Sequence, residues 1–141
     1  MNAIERLVEN WRSAGVPLEP PASDSDLRAL AEALAAPLPL DVAAFYKLAN
    51  GMPDLEYDPH EVSFWSIPKI LAERECRSGN DPNGPLSDLA IADFLINSWF
   101  FNLRVRDGAV TLFIEGSEEE VPSLSALAAR YLDAPGSLPI L

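Results

Sequence analysis

Apolar residues fall at helical spacing near both ends of the chain and in strand-like runs between them. Ile4, Leu7, Val8 and Trp11 recur at i, i+3, i+4 and i+7, which places them on one helical stripe. Asn2 and Glu5 have the spacing of a capping box, and Gly15 followed by Pro17 supplies a stop. Pro17 to Ala22 reads as a stiff, proline-rich connector. A second helix is expected to start at Ser23 or Ser25, bury Leu27, Leu30 and Leu34, and end before Pro37. A third follows Leu38-Pro39-Leu40-Asp41 and turns Val42, Phe45, Leu48 and Ala49 to the core. Asn50-Gly51 is expected to close it, because both residues tolerate the left-handed conformation of a C-cap.

After Gly51 the pattern changes. Met52 to His60 is a proline-containing acidic loop, and Val62 to Ile67 reads as a strand. Pro68 opens a short helix through Arg74, and Arg77 to Pro85 reads as a loop. Leu89 to Ile96 and Trp99 to Arg106 are expected strands around a bend at Asn97-Ser98. Asp107-Gly108 is a hairpin signal leading to a strand over Val110 to Glu115. Gly116 to Glu120 reads as a polar connection, and Ser123 caps a last helix with Leu124, Leu127, Ala128 and Tyr131 on one face. Helices, then an antiparallel meander, then a helix make the expected class α+β. Within the strands Trp99 and Phe101 share one face and Phe100 takes the other, so one face packs under helices while the second meets another layer, a partner or water.

Composition narrows the picture. The 141 residues fit one domain, expected over 1–141, with the first helix and connector in 1–22 and the core in 23–141. No run of about 18 apolar residues survives without a polar interruption, so no membrane span is expected. The N-terminus lacks a basic region followed by an apolar core, so no signal peptide is expected. Cys76 is the one cysteine, which excludes an internal disulfide and cysteine-based zinc sites, and a cytoplasmic setting fits. The net charge of −12 disfavours nucleic acid and anionic membranes, whose affinity for proteins comes from Lys and Arg. Asp54, Glu56, Asp58 and Glu61 lie between Leu48 and Pro68 without a basic residue. Such loops keep a protein soluble or steer a basic partner.

Candidate chemistry is sparse. His60 is the sole histidine, and no Gly-x-Ser-x-Gly elbow presents a serine. Walker-type and Gly-x-Gly-x-x-Gly loops are likewise missing from the sequence. Alternation in an extended loop would point Asp54, Glu56, Asp58 and His60 the same way, the basis of a minor reading as a metal-dependent hydrolase centred on Asp54, Asp58 and His60. The stretch lacks the central glycine and terminal glutamate of a calcium loop. The favoured expectation is therefore no catalytic residue, no metal and no cofactor.

Two stretches carry a resemblance. Leu38-Pro39-Leu40-Asp41 through Leu48-Ala49-Asn50-Gly51 resembles the signature helix of the SUKH superfamily of Smi/Knr-type regulators and toxin-immunity domains. Ile91 to Val105, with Asp93, Ser98 and Arg104, is similar to the strand block of many members, with Ile91 in place of the first aromatic. The helix from Ser123 to Leu132 is similar to the family's last helix, with leucines replacing its aromatics; the matches span about residues 25 to 133. The resemblance implies a single antiparallel sheet flanked by helices, with Pro39, Asp41, Asn50, Gly51 and Asp93 as structural residues. It also implies a protein-binding module, either an immunity protein occluding a toxin or a cytoplasmic scaffold binding a cellular protein. The expected binding face joins Asp54, Glu56, Tyr57, Asp58, Glu61 and Trp65 with the turn Glu118, Glu119 and Glu120. The expected partner is a basic protein domain, and the chain itself is expected to be a monomer or weak homodimer.

Overall fold

The computed structural model describes residues 1–80, 88–94, 99–106, 109–114 and 119–137. Its elements are α1 (Ala3–Ser13), α2 (Asp24–Leu34), α3 (Leu40–Leu48), β1 (Val62–Phe64), α4 (Ile67–Asn80), β2 (Asp88–Phe94), β3 (Trp99–Arg106), β4 (Ala109–Ile114), β5 (Glu119–Val121) and α5 (Leu124–Asp133), followed by a 3-10 turn at Pro135–Ser137. The strands form one antiparallel sheet in the order β1-β2-β3-β4-β5, so the fold is α+β as expected.

Residues directly opposite one another in such a sheet share a face. Phe64, Ala92, Phe101 and Ile114 form one cross-strand row, and Leu89, Leu103, Leu112 and Val121 form another. This inner face meets the helices: the Trp11 and Phe45 rings lie 5.1 and 5.6 Å from that of Phe64. The expected stripe of α1 is buried whole, as is that of α5. The opposite face carries Ser63, Asp93, Phe100, Asn102, Phe113 and Glu120. Here Trp65 stands edge-on to Phe100, and the Arg104 guanidinium lies 4.1 Å above the centre of the Phe113 ring.

The helix starts follow from side-chain caps. Asn2 accepts from the Glu5 amide, Ser23 from that of Asp26 and Ser123 from that of Ala126. Pro39 supplies no side-chain cap, but its backbone is set for the turn into α3. Asp41 reaches across the fold instead, accepting from the Ser125 amide at 2.8 Å and so capping α5.

Besides the strand expected over Val62 to Ile67, which ends at Phe64 with Ile67 already in α4, three expectations need correction. Asn50-Gly51 does not cap α3, whose last hydrogen bonds end at an extended Ala49. Gly51 has φ +71, and a Cβ there would meet the Trp65 carbonyl carbon and oxygen at 2.5 Å, so the glycine permits a backbone crossing. Asn50 accepts from the Ile67 amide at 2.9 Å and thereby starts α4. The second correction concerns α4, which runs to Asn80 through Arg77, Ser78 and Gly79, where a loop was expected. Each of those residues costs a helix at most about 1 kcal/mol, and Pro82 is the first that forbids it. Third, Glu119–Val121 is a strand. Three residues, two of them acidic, show no apolar alternation, and only their pairing with β4 and the burial of Val121 reveal it. The expected bend at Asn97-Ser98 and hairpin at Asp107-Gly108 lie outside the described residues.

Candidate functional site

The acidic loop from Met52 to Glu61 runs along the β1 edge of the sheet, clamped at both ends. At its start the Met52 amide donates to Phe64 O at 2.7 Å, and Met52 bridges to Trp65. Its far end closes on Asp58, which is 5% exposed. One Asp58 oxygen accepts the His60 and Val62 amides at 2.9 and 3.1 Å, forming an Asx turn. The other accepts Trp11 Nε1 at 3.1 Å and a short bond from the Tyr131 hydroxyl. Asp58 thus joins the loop to α1 and α5 at once. Burial pushes its carboxyl above the usual range, opposed by those amide and indole donors and by His60.

A second carboxylate holds the loop's middle. Asp93, 1% exposed on β2, accepts Trp65 Nε1 at 2.5 Å and the Tyr57 hydroxyl at 2.7 Å. Burial and the Asp93 bond raise the Tyr57 phenol well above its ordinary pKa. On the outside, Lys69 of α4 pairs with Asp54 at 2.5 Å and lies 5.0 Å over the Trp65 ring. That lysine's hydrogen bond and charge hold the Asp54 carboxyl below its usual range.

The expected binding residues therefore separate into three groups. Asp54, Glu56 and Glu61 are exposed and form the loop's acidic surface. Asp58 and Trp65 are buried and Tyr57 is half-buried; their polar atoms bond within the fold, so they position the loop and do not present a face to a partner. Glu119 and Glu120 sit on β5, at the opposite edge of the sheet, four strand spacings or roughly 19 Å away. There Glu119 pairs with Arg130 of α5, and Glu120 accepts from the Thr111 hydroxyl. The sheet order thus sets β5 and the loop on opposite edges of the sheet. Glu118 lies outside the described residues.

The alternation that would gather metal ligands is absent because the loop is built of turns. Asp58 points into the core, Asp54 pairs with Lys69, and His60 stands edge-on to the Tyr131 ring at 5.1 Å. Among the described residues no three His, Cys, Asp or Glu side chains converge on a common point.

Sequence reasoning passed over Lys69 and placed Trp11 and Tyr131 only on helix stripes, because their parts in holding the loop come from tertiary placement. It also passed over Leu55. The Glu56 amide donates to Pro53 O at 3.1 Å, closing a turn whose third residue, Leu55, has φ +66. That position favours glycine or asparagine, and a leucine there costs about 1 kcal/mol or more. Leu55 is nevertheless 76% exposed. A lone apolar residue between Asp54 and Glu56 is the one sequence signal that marks it.

Residues 21–130, most of the chain and all five strands, match the model of the SMI1 / KNR4 family (SUKH-1). The chain belongs to that family. Membership is consistent with an immunity or regulator domain that works by binding protein. The comparison with curated proteins gives no match. Among the described residues no helix is long and apolar enough to cross a membrane.

Proposed function

We propose that this SUKH-1 domain is an immunity protein that neutralises a toxin by docking on it and occluding its working surface, with no chemistry of its own. One observation carries this reading: the loop bearing Asp54, Glu56 and Glu61 is acidic on the outside and clamped on the inside. Asp58 and Asp93 tie it to α1, α5 and β2, so little ordering entropy is lost when a partner docks. Its surface charge suits a basic partner, as does the net charge of −12. A toxin that acts on an anionic substrate carries such a basic surface, and an acidic loop competes for it.

The test is to read the neighbouring genes for a toxin effector domain, to co-express that domain with this chain, and to measure direct binding to it once purified; an isolated gene with no such neighbour would favour the regulators of the family. The unaltered chain should restore growth. The triple reversal Asp54→Lys, Glu56→Lys, Glu61→Lys should lose protection and bind roughly 100-fold more weakly. Full protection by the triple variant would refute docking through this loop. Binding to a cellular protein in place of the effector would assign the chain to the regulators of its family.

A further inference from the structure

We infer that Leu55 is the apolar anchor of the docking loop, inserting into a socket on the partner that is apolar at its base and basic at its rim. This rests on the loop being the docking surface, and it specifies what that surface recognises. Among the described residues, positive φ outside glycine occurs at three places, each with a local cause. Ala35 ends α2 in the left-handed conformation common at helix ends. Glu61 closes the turn organised by the buried Asp58. Leu55 is the third residue of the Pro53–Glu56 turn, a position that favours glycine or asparagine over leucine. Its backbone is strained, and its side chain, 76% exposed, gains almost nothing from burial in the fold.

Leu40 is exposed as well, but it occupies the first turn of α3 in ordinary helical backbone and carries no comparable strain. Glycine at 55 would relieve both defects of the isolated protein, so folding alone does not account for a leucine. Docking does. The side chain stands at the tip of a turn held by the Asp54–Lys69 pair on one side and the Tyr57–Asp93 bond on the other. A rigid, already exposed apolar group loses little freedom when it enters a pocket. The neighbouring carboxylates Asp54 and Glu56 fix the chemistry of the rim: Lys or Arg around the socket would meet them as Leu55 enters.

Two measurements on Leu55→Gly test this. Its melting temperature should equal or exceed that of the unaltered chain, since glycine accepts the positive φ. Its affinity for the effector domain that the unaltered chain binds should fall at least tenfold, chiefly through faster dissociation. Leu55→Asn, which also tolerates the left-handed region, should behave the same way. A clear drop in melting temperature in both variants would mean that Leu55 serves the fold, and would overturn the inference. Unchanged affinity in Leu55→Gly alongside weakened binding in Glu56→Lys would overturn the anchor while leaving the acidic docking loop standing. No binding by the unaltered chain would overturn both.

Discussion

Asp58 is a carboxylate placed where its removal should be felt in several elements at once. It accepts from Trp11 of α1, Tyr131 of α5, the His60 amide of its own loop and the Val62 amide that opens β1. Asp58→Ala leaves those donors buried and unpaired, so it should destabilise the fold by about 3 kcal/mol or more, read from chemical denaturation. Asp58→Asn keeps an acceptor and should cost less. The pH dependence has a definite sign. Burial raises the folded-state pKa above the unfolded value, so the folded protein holds more protons in the window just above the ordinary aspartate pKa. Stability contributed by this group therefore falls as pH rises through that window and is regained on acidification. Measured against Asp58→Asn, which does not titrate there, the unaltered chain should gain relative stability as pH falls from neutrality towards the ordinary aspartate pKa. A difference that widens in the opposite direction would mean that the four donors outweigh burial.

At the scale of elements, the family's Asn-Gly pair is a junction. Asn50 caps α4 through the Ile67 amide and reaches Asp26 near the start of α2 at 3.4 Å, while Gly51 lets the chain cross the Trp65 backbone. Asn50→Ala should cost about 1–2 kcal/mol in thermal unfolding, and Asn50→Asp, which keeps the accepting oxygen for Ile67 but turns a second carboxylate on Asp26, should not restore full stability. Gly51→Ala meets both a positive φ and backbone atoms at 2.5 Å, and should cost about 3 kcal/mol or more. The same junction shows what a sequence discloses. Amphipathic stripes such as Ile4, Leu7, Val8 and Trp11 were readable because periodicity is local, and so was the Ser123 cap, while Ser23 was one of two candidates for α2. The importance of Asn50 and Gly51 was readable from the resemblance, but not their roles, because the partners lie 17 and 14 residues further along the chain. Asp41 is the extreme case: it sits in the first turn of α3, whereas its hydrogen bond caps a helix 84 residues away. The site divides in the same way. Exposure of Asp54, Glu56 and Glu61 follows from loop composition, while burial of Asp58 and Trp65 depends on α1, α5 and β2, which no local pattern encodes.

At the scale of the whole molecule, charge and shape act on different steps of binding. A net charge of −12 produces a negative field that attracts a basic domain over a distance set by the Debye length, about 8 Å at physiological salt. Contact at the loop then involves an apolar tip and a few carboxylates, which salt screens far less once water is excluded. These two steps predict a specific division of the kinetics with the effector domain. Raising sodium chloride from about 50 to 500 mM should slow association by roughly tenfold or more and change dissociation much less. Glu56→Lys and Glu61→Lys should reduce the association rate and flatten its salt dependence, because each removes part of the steering field. Leu55→Gly leaves the charge unchanged, so its salt slope should match that of the unaltered chain while dissociation accelerates. Stopped-flow or surface-binding kinetics at several salt concentrations separates the two. An association rate indifferent to salt would mean that the acidic surface serves solubility and steers nothing, whatever the loop contributes after contact.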